Sequence, residues 1–192
     1  MNETNNVRGT NKQANRIKKI NRLNLAVLAA ACISLTIPTG SLKADFHPVN
    51  FLPIHANAGV TAVLAPTSDP LVFIATATGV VQTTLLGTCV ENAQLTVRFP
   101  ATPGQPVVLN GTGSFTWIDG SKSLQFSDTG TATPDPANPN FFNSKYQVTF
   151  TGGTGAFASA SGAAEITEVV MFTSPTTGTV TWTLNGLVIT PR

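Results

Sequence analysis

Residues 146–162 read Tyr146-Gln-Val-Thr-Phe-Thr-Gly-Gly-Thr-Gly-Ala-Phe-Ala-Ser-Ala-Ser-Gly162, and the choice of fold turns on this stretch. Tyr146, Val148 and Phe150 alternate with Gln147, Thr149 and Thr151, the two-residue period of a half-buried strand. Gly152, Gly153 and Gly155 follow, with Ala158 three residues on. A strand running into Gly-x-Gly-x-x-Ala is one form of the dinucleotide fingerprint, whose glycines let the backbone approach a pyrophosphate. That site works only if a helix opens directly after the turn, because the helix N-terminus holds the anion. Residues 156–162 are small, end in glycine and lack the three-and-four spacing of a crossover helix. The segment from Gly155 to Arg192 is also too short to complete a doubly wound domain. No Gly-Lys-Ser/Thr follows, so a phosphate-binding P-loop is excluded as well. The glycines read instead as a tight reversal between two strands, with Phe157 opening the second.

Outward from this turn, the texture from Val60 onward is β throughout. Val, Thr and aromatic residues are frequent, helical periodicity is absent, and Gly or Pro recurs every eight to fifteen residues or so. Candidate strands cover residues 60–65, 71–78, 80–90, 94–99, 107–118, 122–131, 145–151, 157–172 and 179–190. Asp119-Gly120 suits a two-residue type I′ hairpin joining Phe115-x-Trp117 to Leu124-x-Phe126. Residues 134–144 hold Pro134, Pro136 and Pro139 among Asn and Asp and read as a long rim loop. Asn185-Gly186 marks a bulge or bend in the last strand. So many long antiparallel strands with so few charges must hide their edges. Closure into an all-β, eight-stranded antiparallel barrel does so, with a β-sandwich as the alternative.

The bulk charge needs correcting before it is used. The chain has 11 basic and 9 acidic residues, a formal net of +2. Arg8, Lys12, Arg16, Lys18, Lys19, Arg22 and Lys43 all precede residue 45, and Glu3 is the only acid there. From residue 45 onward, Arg98, Lys122, Lys145 and Arg192 face Asp45, Asp69, Glu91, Asp119, Asp128, Asp135, Glu165 and Glu168, which makes the remainder acidic. Such a body offers little to phosphate backbones, and nucleic-acid binding is not expected. Residues 1–44 read as a secretory signal. A basic, Asn-rich start leads to an apolar run from Leu25 to Ile37, then to Pro38, Gly40 and a small residue, Ala44, before the cut. At about thirteen residues that run is short for a bilayer span. The expected organisation is a signal peptide at 1–44, an exposed lead-in at 45–59 and one barrel domain at 60–192, secreted, periplasmic or at the cell surface, with no membrane span in the mature form. Cys89 is the only cysteine after the cut, so no internal disulfide forms, and its strand context suits a packed small residue.

Three segments carry a resemblance: Gly111-Thr-Gly-Ser-Phe-Thr-Trp-Ile-Asp-Gly, Thr149-Phe-Thr-Gly-Gly-Thr-Gly-Ala-Phe and Gly178-Thr-Val-Thr-Trp-Thr-Leu-Asn-Gly. In this order they resemble signatures of bacterial exported proteins with an allene oxide cyclase-like barrel, and the glycine turn is similar to that of plant dirigent proteins. The likeness spans roughly residues 75–190. It implies an eight-stranded barrel with an apolar interior, often oligomeric, and it transfers no activity, since no matching set of interior polar groups is found.

Chemistry-bearing residues are sparse. Glu165 and Glu168 stand three apart, on opposite faces of a strand, and read as solvated rim charges rather than an acid/base pair. Asp128 shares a face with Leu124 and Phe126, and exposure at the strand's end is favoured over an inward position. No Gly-x-Ser-x-Gly elbow, His-Glu-x-x-His or paired cysteines occur. Trp117, Tyr146, Phe150 and Trp182 are the aromatic candidates for lining a ligand cavity. If cleavage exposes Asp45 as the first residue, its amine, two backbone amides and the His47 imidazole form a square-planar nitrogen set suited to Cu(II) or Ni(II). No cofactor is implied. The favoured reading is a non-catalytic exported barrel that binds a small apolar ligand or assembles at the cell surface, as a homo-oligomer. The alternatives are cyclase- or isomerase-like steering of a reactive intermediate, and a structural or adhesive module. An open cavity with an inward ionisable group would favour steering, one without would favour simple binding, and a filled interior would favour the adhesive module.

Overall fold

A computed structural model describes residues 48–192. Eight strands follow one another around a closed antiparallel barrel: β1 (Val49–Pro66), β2 (Val72–Thr83), β3 (Gly87–Arg98), β4 (Val107–Trp117), β5 (Ser123–Asp135), β6 (Asn138–Thr154), β7 (Ser161–Phe172) and β8 (Thr177–Pro191). Each strand pairs with its sequence neighbour. β1 closes the ring by pairing with β8 from Val49↔Pro191 to Val63↔Thr177. The barrel, not the sandwich, is therefore the fold, and no strand edge is left open.

Several local expectations are corrected. Residues 49–59, read as an exposed lead-in, form the first half of β1, where Ile54, Ala56 and Ala58 are buried in the core. Pro53 does not break the strand; it pairs in register with Leu187. The supposed loop at 134–144 is mostly paired strand: Pro134 faces Phe142, and only Pro136 and Ala137 lie between β5 and β6. The Asp119-Gly120 turn is not type I′, which needs positive φ at both central residues. Gly120 alone has positive φ, at 70°. A five-residue connection, 118–122, closes instead on Gly120 N–H donating to Trp117 O, while the Ser121 amide donates to Asp119 Oδ1 at 2.8 Å. β8 runs through Asn185-Gly186 without a register shift, so no bulge lies there. Gly186 is needed for closeness, since a side chain on it would run into Ala163 and Ala164 of β7.

At the glycine turn, β6 continues to Thr154. The register slips between Gln125 and Phe126, whose partners are Gly152 and Phe150, leaving Thr151 as the extra residue. A single 3₁₀ turn, Gly155–Phe157, then reverses the chain, and β7 starts only at Ser161. No α-helix opens here, so the nucleotide reading is excluded on structure as well as sequence.

The two-residue period sorts side chains cleanly. In β6, for example, Ser144, Tyr146, Val148 and Phe150 are buried, while Lys145, Gln147 and Thr149 are exposed. The inside divides along its length. The lower end carries the β2–β3, β4–β5 and β6–β7 connections. There Ile54, Val81, Cys89, Phe115, Leu124, Val148, Phe150, Leu184 and Val188 fill the bore, all nearly or fully buried. Leu86 from the β2–β3 turn, and Phe157 and Ala160 after β6, are also buried at that end. Toward the upper end, β1 to β3 present Ala62, Ala75, Ala77 and Ala93 inward. These short side chains do not reach across, and the bore is hollow.

Candidate functional site

The hollow is a cavity of about 90 Å³ in the upper half of the barrel. Its wall is mostly apolar: alanines from β1 to β3, Leu95, Val97, Leu109, Ile166 and Val180, with Leu64, Phe99, Phe142 and Phe172 toward the upper end. Phe142 and Phe172 meet edge to face, with ring centres 5.6 Å apart. The floor is aromatic. Phe115 packs on Phe126 and on Trp182, at ring-centre distances of 4.8 and 5.9 Å.

Three carboxylic acids line this cavity, one from every second strand: Glu91 on β3, Asp128 on β5 and Glu168 on β7. Each stands where its strand's inward run is otherwise apolar or small. Glu91 lies between Cys89 and Ala93, Asp128 between Phe126 and Gly130, and Glu168 between Ile166 and Val170. The intervening strands make room or supply donors. Trp182 Nε1 donates to Glu91 Oε2 at 3.0 Å, and Tyr146 Oη donates to Glu168 Oε1 at 3.0 Å. Gly111, paired with Asp128, leaves space for that carboxylate: a side chain there would come within 2.7 Å of Asp128 Oδ1.

Burial decides the protonation of these groups, because a charge in an apolar wall loses its hydration. Burial pushes the Glu91 carboxyl up to about 7. The Trp182 hydrogen bond pulls the other way, and the charges of Glu168 and Asp128 add to the rise. Glu168 is likewise raised by burial to about 7, against the Tyr146 hydrogen bond and a smaller pull from the nearby Ser144 hydroxyl, with Asp128 adding to the rise. Asp128 is raised by burial to about 6, partly offset by the amides of Gly111 and of Asp128 itself. The Tyr146 hydroxyl is pushed well above its ordinary value by burial and by Glu168, and so stays a donor. All three line the cavity, and Glu168 keeps more surface than Glu91 or Asp128. Two buried polar atoms in the wall, Asp128 Oδ1 and Ser144 Oγ, have no hydrogen-bond partner. A buried oxygen without a donor costs about 1–3 kcal/mol.

The anticipated site residues separate. Tyr146 and Trp182 line the cavity. Phe150 is fully buried but belongs to the packed lower half. Trp117 sits at the lower end, 5.7 Å from the Phe157 ring and with Lys122 Nζ 5.0 Å above it, away from the cavity. Asp45 and His47 lie outside the described residues. The reading of Asp128 as exposed is corrected: it retains 6 % of its surface and faces inward. The rim reading of the two glutamates holds for Glu165, which is exposed and accepts from Gln147 Nε2, but not for Glu168. Standing on opposite faces of β7, Glu165 points outward and Glu168 inward. Glu91 was passed over entirely, although its position on an apolar alternation was visible in the sequence. Cys89 is fully buried and its thiol is raised to about 11, chiefly by burial, as suits packing rather than nucleophilic attack.

Among the described residues no group of three or more His, Cys, Asp or Glu side chains is arranged to hold a metal ion. No protein-family model matches the chain, and no curated protein matches it. Among solved structures the chain is similar to a pterocarpan synthase dirigent protein, with 14% identity and a TM-score of 0.43, over 75% of this chain and 87% of that one. What the fold and site define is a class: a closed eight-stranded antiparallel barrel, packed below and hollow above, with carboxyl groups set into an apolar wall.

Proposed function

We propose that the upper half of the barrel binds a small, largely apolar molecule. The observation that carries this reading is the division of the bore: large side chains fill the lower half, and alanines leave the upper half empty. A structural or adhesive module has no use for a hollow that costs packing contacts, so that alternative is set aside. Steering of a substrate presupposes such binding, and the three acids are the inward ionisable groups expected to favour it, so they carry a second reading. With carboxyls raised to about 6 and about 7, the wall presents proton donors and acceptors together near neutral pH. Such a site suits steering of a reactive intermediate, one carboxyl protonating it and another accepting a proton. We further propose, from the sequence, that the protein acts outside the cytoplasm after loss of residues 1–44. Self-association is also proposed, supported by outward apolar side chains such as Phe51, Val63 and Val80.

Native mass spectrometry of the protein purified gently from its own host tests the binding reading, with Ala77→Leu as the control that fills the cavity. A bound small molecule lost in the variant is expected. A barrel that carries none, and that takes up no small molecule from a panel of neutral and charged probes, refutes it. The same spectra report the subunit count.

A further inference from the structure

We infer that the ligand of the upper cavity is a small organic cation, a protonated amine on an apolar or aromatic body, held by Glu91, Asp128 and Glu168. This rests on the upper cavity being a ligand site, and it names the chemistry of the occupant. Three observations carry it. First, the charge inside is of one sign. Among the described residues the cavity wall holds three acids and no basic side chain. Arg98 is spent outside on Asp69 at 3.5 Å, Lys122 lies over Trp117, and Lys145 and Arg192 are exposed. Acids without a counter-ion among the described residues attract a cation most strongly in a low-dielectric wall such as this.

Second, an unsatisfied carboxylate oxygen in the wall asks for a donor. Asp128 Oδ1 is buried without a partner, and the residue retains only 6 % of its surface. An ammonium group brings up to three N–H donors and no acceptor, so it can serve this atom and a glutamate together. Third, the space matches. An engineered cavity of ~150 Å³ holds a benzene ring; the 90 Å³ here accommodates an ammonium head and a few carbons. The rest of the body then occupies the open pocket of about 460 Å³ at the upper rim, which shares Leu64, Phe99, Phe142 and Phe172 with the cavity. Trp182 and Tyr146 place aromatic rings in the same wall, which suits a cation further.

Binding should strengthen as the acids lose their protons. The titratable groups facing the cavity are Glu91 from β3, Asp128 from β5, Tyr146 from β6 and Glu168 from β7; β1, β2, β4 and β8 contribute none. Between pH 5 and pH 8 the three carboxyls become charged while a simple alkylamine stays protonated.

The test is titration calorimetry of the whole protein with phenethylamine, phenethyl alcohol and phenylacetate, probes of like shape and different charge. The amine should bind at least about tenfold more tightly than the alcohol at pH 8, a difference of about 1.4 kcal/mol, and phenylacetate should not bind. Glu168→Gln and Asp128→Asn should each weaken the amine about tenfold or more and leave the alcohol unchanged. Lowering the pH to 5 should weaken only the amine. Thermal melts confirm that both variants fold. If the alcohol binds as well as the amine, or if neither substitution affects the amine, the cation inference fails and the apolar-ligand reading stands. If none of the three probes binds at millimolar concentration, the cation inference fails and the binding reading loses its support with it.

Discussion

Replacing Glu91 with Gln should make the protein more stable at pH 8 and flatten its dependence on pH. Glu91 retains 5 % of its surface, and burial raises its carboxyl from 4.5 to about 7. In the unfolded chain the group ionises near its ordinary value, so between about pH 4.5 and 7 the folded state holds a proton that the unfolded state has lost. Stability falls with pH wherever the native state binds more protons. The folded protein is thus favoured at the acid end, loses stability as pH rises toward 7, and recovers none above it. At 1.36 kcal/mol for each pH unit between the two ionisations, the loss from this one group is about 3 kcal/mol. Glu168 and Asp128 act in the same direction, but the three repel one another, so their contributions do not simply add. Gln keeps an acceptor for Trp182 Nε1 and carries no charge. Urea unfolding at pH 5 and pH 8 for the unmodified protein and Glu91→Gln reads the difference directly. The unmodified protein should lose stability across this range, and the variant should lose distinctly less. If both lose the same amount, or if the unmodified protein is more stable at pH 8, Glu91 is not a buried acid.

Two further predictions concern the bore. Phe115→Ala should cost about 3–5 kcal/mol, since Phe115 has no exposed surface and supports both Phe126 and Trp182; a loss under about 1 kcal/mol in chemical denaturation would show that the floor is not packed. Gly111→Ala should destabilise by about 1–3 kcal/mol, because its methyl would lie 2.8 Å from both the Gln94 carbonyl oxygen and Leu95 Cγ as well as 2.7 Å from Asp128 Oδ1; unchanged stability in the same assay would refute the close approach of β3 and β4 at that point.

Much of the fold could be read from residue order, because closure follows from strand period and the need to hide edges. The details that escaped were those where tertiary pairing overrides local punctuation. Prolines 53 and 134 both lie within paired strands, and the residues before Val60 look irregular until β8 is alongside them. The turn at Gly120 differs because Asp119 and Ser121 satisfy each other locally, which a dipeptide signal does not reveal. For the site, aromatic residues are an ambiguous signal: Tyr146 and Trp182 line the cavity, and Trp117 and Phe150 do not. Large rings fill a small barrel as readily as they line a cavity: Phe150 does the first, Trp182 both. The useful signal was parity. An acid in phase with apolar neighbours, as Glu91 is with Cys89 and Ala93, must point inward once the barrel closes. Whether the bore at that height is filled depends on what seven other strands present there, and no single segment contains that information.

The partition of the bore also explains how the chain tolerates its acids. Apolar side chains of similar size in place of buried charged groups are often neutral or stabilising, so Glu91, Asp128 and Glu168 are a net cost to folding near neutral pH. The cost is confined to the upper half. Phe115, Leu124, Phe150, Leu184 and Val188 form a continuous core below, and barrel closure satisfies the backbone all round. The lower half can therefore hold the fold together while the upper half keeps groups that packing alone would not choose. Trp182 ties the two halves, resting on Phe115 at the floor and donating to Glu91 above it. A ligand that neutralises the acids would remove the cost at its source, so the site's chemistry and the barrel's stability are linked through the same three carboxyl groups.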